Sequence, residues 1–98
     1  MGAMTEDTIV QAHKTAIRED AIQKQYKLLI DAGVSCSIER GSGNVPAVKG
    51  VWKSEPFLVY AAFISNKNDP SMWIMEVRTR WKGKDWPKMR PVDVLKGR

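Results

Sequence analysis

The sequence predicts an α+β fold: an N-terminal helix packed on one face of a four-stranded antiparallel meander sheet, followed by a basic C-terminal arm. Three observations carry this expectation. Apolar residues recur every three or four positions across residues 5–32, which is the spacing of one helix face. From Val34 onward they recur at every second position in several runs, the period of a strand with one covered face. Short connections between those runs suit hairpins better than the long crossovers a parallel sheet needs.

The helix comes first. Thr5 or Thr8 can cap it, and Glu6 and Asp7 suit the positive end of its dipole. Ile9, Val10, Ala16, Ile17, Ala21, Ile22, Tyr26, Leu29 and Ile30 form its apolar stripe. The stripe drifts around the axis, so the element is expected as one long helix or two shorter ones broken near residues 18–20. Gly33 is placed to end it in the left-handed conformation that glycine adopts at least cost.

The strands follow. Residues 34–40 alternate Val34, Cys36 and Ile38 with polar neighbours, as a half-buried strand does. Residues 41–46 (Gly-Ser-Gly-Asn-Val-Pro) are a loop by composition. Their glycines do not make a phosphate cradle: no Lys and Ser/Thr pair follows and no helix opens there. A weaker strand is expected over 47–53, broken by Glu55-Pro56. Residues 57–65 are apolar on both faces, which predicts the centre of the sheet. After a turn at 66–70, the long strand 71–81 sends Trp73, Met75, Val77, Thr79 and Trp81 to one side and Met72, Ile74, Glu76, Arg78 and Arg80 to the other. Pro87 and Pro91 argue against a long helix in the tail, leaving an extended arm with a short turn at 92–96.

The 98 residues thus divide into a leader at 1–4 that resembles a cloning-vector scar ending on the native Met4, a single α+β domain at 5–81, and the arm at 82–98. The polar N-terminus predicts no signal peptide. No apolar run approaches the ~20 residues that span a bilayer. The single cysteine, Cys36, fits a reducing compartment, and a cytoplasmic location is the expectation.

Charge is distributed unevenly. Residues 78–98 hold eight basic and two acidic residues, a net of +6. The remaining 77 hold eight basic and nine acidic, a net of −1. Charge concentrated in this way attracts phosphates or an acidic protein face. The candidate site is therefore the interleaved basic and aromatic run Arg78, Arg80, Trp81, Lys82, Lys84, Trp86, Lys88 and Arg90. Arg78 and Arg80 are expected on one face about 7 Å apart, close to the spacing of successive phosphates, with Trp81 or Trp86 available to stack on an unpaired base.

Catalytic groups are few. His13 is the only histidine and falls within the helix. Cys36 reads as a small core residue rather than a nucleophile. Neither four-ligand zinc sites nor a cofactor motif can be assembled. Glu39, Glu55 and Glu76 would have to converge from separate strands to hold a metal, and a Glu76 salt bridge to Lys53 is the simpler role. No enzyme, no catalytic residue, no metal and no cofactor is expected. The sequence predicts a binding module whose partner is nucleic acid or, alternatively, an acidic protein, as for a small inhibitor or adaptor of a mobile element. The sheet face left uncovered by a single helix also predicts association, with a homodimer among the outcomes.

Overall fold

A computed structural model describes residues 6–69 and 72–97. The leader, the expected cap Thr5, Pro70, Ser71 and Arg98 lie outside the described residues. The chain runs α1 (Glu6–Asp31), β1 (Cys36–Arg40), a 3-10 turn (Ser42–Asn44), β2 (Pro46–Trp52), β3 (Glu55–Ser65), β4 (Trp73–Trp81), β5 (Lys84–Trp86) and α2 (Pro91–Lys96). The five strands form one antiparallel sheet in the order β1-β2-β3-β4-β5. The fold is α+β, as expected, with the helix on one sheet face and β3 at the centre. The strand count is five rather than four.

α1 is a single unbroken helix of 26 residues, about 39 Å long. It closes at Gly33 (φ 85°) with Gly33 N–H donating to Ile30 O and Val34 N–H donating to Leu29 O, the paired bonds of a Schellman motif. Leu29 and Val34, which that motif brings together, are both buried. Thr8 lies inside the helix and is not its cap. The first part of the predicted stripe stays outside the core: Ile9 and Val10 are exposed, whereas Ile22 and Leu29 are fully buried. At its N-terminal half α1 overlies the long β3–β4 hairpin, where His13, Lys14 and Arg18 meet Phe63 and Trp73.

The connections correct two boundaries. Glu55-Pro56 does not break a strand; it opens β3, with Pro56 opposite Val51. The turn falls one step earlier, at Lys53 and Ser54, which both take positive φ (51° and 65°). Two left-handed residues make the tight hairpin turn whose twist matches the strands. The sequence signal was weak because neither residue is Gly or Asn. β4–β5 turns the same way at Lys82 and Gly83, and this hairpin turn is where the expected arm began.

The arm is more regular than expected. Residues 84–86 add the fifth strand, and 91–96 form α2, in which Pro91, Val94 and Leu95 are buried. Proline at the first helical position lacks an N–H that would have been unpaired there anyway, so Pro91 starts a short helix, where a short turn at 92–96 was expected. α2 packs against α1 and β4. Trp52 Nε1–H donates to Leu95 O at 2.6 Å, Trp81 Nε1–H to Trp52 O at 3.3 Å, and Lys96 Nζ to Ala32 O at 3.0 Å. One core of Ile22, Leu29, Val34, Val48, Phe57, Val59, Trp81, Val94 and Leu95 therefore joins both helices to the sheet. Among the described residues no helix is long and apolar enough to cross a membrane.

Candidate anionic-partner interface on the open sheet face

Strand alternation assigns every side chain of the suspect run to a face. Thr79, Trp81 and Trp86 share the helix side with Phe57 and Val59, because the register pairs Phe57 with Trp81, Val59 with Thr79 and Thr79 with Trp86. Arg78, Arg80 and Asp85 lie on the uncovered face with Leu58 and Tyr60. The eight predicted residues therefore do not form one track.

Trp81 is only 8% exposed, and its indole N–H is bonded to the backbone. It is a core residue and cannot receive a base. Trp86 is half-buried on the same side, with its Nε1 shut away from solvent. Lys82 and Lys84 lie over these two rings, with Nζ 4.4 Å from the Trp81 centroid and 5.7 Å from that of Trp86. Lys88 is exposed in the connection between β5 and α2. Arg90 precedes α2 and is engaged by Asp93 at 2.8 and 3.1 Å.

Arg78 and Arg80 do project together, as expected. Each is held by a carboxylate: Arg78 Nε donates to Glu76 at 2.6 Å and Arg80 Nε to Asp85 at 3.3 Å. Glu76 therefore pairs along its own strand and not with Lys53, which sits in the β2–β3 turn. Tyr60 lies between the arginines. Its hydroxyl donates to Asp85 at 3.1 Å, and its ring centroid is 5.5 Å from the Arg80 guanidinium. Arg80, with help from Tyr60, holds the Asp85 carboxyl below its ordinary range, and Glu76 raises the Arg78 guanidinium further above its own. This network fixes both guanidinium groups but neutralises much of their charge locally.

Further basic residues gather near Arg80 at one end of the sheet. The β2–β3 and β4–β5 turns emerge at the same end, two strand spacings or about 10 Å apart, and carry Lys53 and Lys82. Lys49 and Arg80 flank Leu58 in the adjoining row of the open face, and with Pro56 they line a shallow hollow. Lys84 stands beside Trp81 in the register. Lys49, Lys53, Lys82 and Lys84 thus surround the Arg80–Asp85 pair, with Lys49 on the open face and Lys84 on the helix side. Sequence reasoning missed Lys49, Lys53 and Tyr60 because it followed chain continuity. The alternation within residues 57–65 sends Tyr60 to the side opposite Phe57 and Val59, and only the pairing of β2 with β3 brings Lys49 to the same surface.

Other candidate chemistry does not assemble. Glu55 lies on the helix side, while Glu39 and Glu76 lie on the open face of strands three spacings apart, about 14 Å. Among the described residues no three His, Cys, Asp or Glu side chains group to hold a metal. Cys36 is half-buried with its thiol pushed up by desolvation, the opposite of an activated nucleophile. The Gly41–Val45 stretch closes as a hairpin connection, with Gly41 N–H donating to Val45 O. Comparison with family models, with curated proteins and with solved structures yields no match.

Proposed function

We propose that this chain is a non-enzymatic binding module of a reducing compartment such as the cytoplasm, and that it contacts nucleic acid through the basic end of its sheet. The observation that carries this reading is the gathering of Lys49, Lys53, Arg80, Lys82 and Lys84, from two turns and three strands, at one end of the sheet, with Lys49 and Arg80 on its uncovered face and Lys84 on the helix side. Lysines on turns are adaptable point charges that follow a phosphate backbone without reading sequence. Arg80, oriented by Asp85, adds a planar donor, and Tyr60 is the one aromatic ring on this face placed to meet a sugar or base. Burial of Trp81 argues against a stacking platform and in favour of phosphate contact, so duplex and single strands should bind comparably.

Fluorescence anisotropy of labelled DNA and RNA oligonucleotides, titrated with the protein at several salt concentrations, tests the proposal. The expected result is saturable binding that weakens steeply with salt, as release of condensed counterions requires. Absence of binding at low salt would refute it and leave an acidic protein as the partner of the same lysines.

A further inference from the structure

The outer side of β4 is paired along only part of its length. β5 pairs with β4 only at Thr79, Arg80 and Trp81. Residues 73–78 therefore pair with β3 alone, and no other described backbone group hydrogen-bonds to them. Such an edge offers alternate N–H and C=O groups to any extended chain, and proteins usually shield it with charge, proline, a bulge or brevity. The two terminal strands follow that rule. β1 has five residues and carries Glu39 and Arg40; β5 has three, opens on Lys84 and is followed by Pro87. The free part of β4 reads Trp-Ile-Met-Glu-Val-Arg, its two charges are paired with each other (Arg78 Nε to Glu76, 2.6 Å), and it pairs with β3 without a bulge. Its Ile74 is 63% exposed, and Met72 just before it is 58% exposed.

The surroundings of this edge specify what it fits. On the helix side, α1 places Lys14 Nζ 5.1 Å from the Trp73 ring centroid and the Arg18 guanidinium 5.0 Å from that of Phe63, the register partner of Met75. Neither cation forms an ion pair among the described residues. Arg18 Nε is buried without a hydrogen-bond acceptor, an arrangement proteins rarely leave uncompensated. A strand added to β4 would lie about 4.8 Å outside it. Its helix-side residues would then lie beside Trp73 and Met75, on the side of the sheet where Lys14 and Arg18 sit, and its other residues would cover Ile74 and Met72.

We infer that the free edge of β4 binds an extended acidic peptide as a sixth strand. Carboxylates on its helix side meet Arg18 and Lys14, and apolar residues on its open side cover Ile74. This site lies at the opposite end of the sheet from the lysine cluster and is independent of it.

The test titrates the isotope-labelled full chain with a seven-residue peptide alternating glutamate and valine, followed by backbone amide NMR. Saturable shifts confined to residues 73–78 and the adjoining face of α1 are expected. A lysine–valine peptide should bind at least tenfold more weakly, and so should the glutamate peptide to a Lys14→Gln, Arg18→Gln double variant. The charge-reversed peptide keeps the test decisive even where that variant does not fold. Equal affinity for both peptides, shifts elsewhere, or no binding would overturn the inference. So would a concentration-dependent dimer that protects the β4 amides, or a DNA oligonucleotide that shifts those same amides.

Discussion

Leu95→Ala separates a structural C-terminus from a flexible basic arm. Leu95 is 1% exposed and packs in the core shared by α1, β4 and the rest of α2. The substitution deletes three carbon atoms, which at about 0.8 kcal/mol per buried methylene is a transfer loss of roughly 2.4 kcal/mol. The cavity left between two helices and a sheet brings the total to about 3 kcal/mol, within the ~2–5 kcal/mol range for such truncations. The bond from Trp52 is retained, because its acceptor is the Leu95 backbone carbonyl. Urea unfolding monitored by circular dichroism is the assay. With a slope of about 1–1.5 kcal/mol/M for a chain of this size, the midpoint should fall by about 2–3 M. Lys88→Ala, on the exposed connection, should change stability by less than about 0.5 kcal/mol. A Leu95→Ala midpoint within error of the parent would refute the packing of α2 and restore the arm.

Further predictions follow from specific contacts. A Cβ added at Gly50 would sit 2.6 Å from Ser35 O and 2.8 Å from two Phe57 ring atoms; Gly50→Ala should therefore cost about 1–3 kcal/mol by overpacking, and an unchanged melting curve would contradict this cross-strand arrangement. Arg40 donates to both Glu19 carboxylate oxygens at 2.7 and 2.8 Å and, with Gln23, lowers that carboxyl from an ordinary 4.5 to about 2. A carboxyl depressed in the folded state stabilises fully above its unfolded value and loses that contribution as pH falls, so the window runs from about 4.5 down to about 2. Carboxyl NMR should show Glu19 titrating low in the parent and returning toward its ordinary range in Arg40→Gln; an ordinary value in the parent would contradict the pair.

The parts of the fold set by local chemistry were legible in the sequence. The helix end at Gly33, the sidedness of β4 and the central place of β3 follow from glycine's left-handed freedom and from two-residue alternation. What was hidden depends on non-local pairing. The Lys53-Ser54 turn lacks the residues that usually announce it. β5 is three residues long, too short to show a period. α2 is held by Trp52 and α1, which are distant in sequence. The candidate site divides in the same way. The joint projection of Arg78 and Arg80 was readable, because both lie on one strand. The arrival of Lys49, Lys53 and Tyr60 from other strands was not, because charge counted along the chain carries no information about register.

The most direct test of the proposed interface is the salt slope of DNA binding for the parent and for a Lys53→Gln, Lys82→Gln, Lys84→Gln variant. If these three lysines each neutralise a phosphate, the slope of log K against log salt should become shallower by about 2–3 on duplex DNA, with affinity lost alike on every sequence. An unchanged slope, with the variant folded, would place the nucleic-acid contact elsewhere and contradict the account.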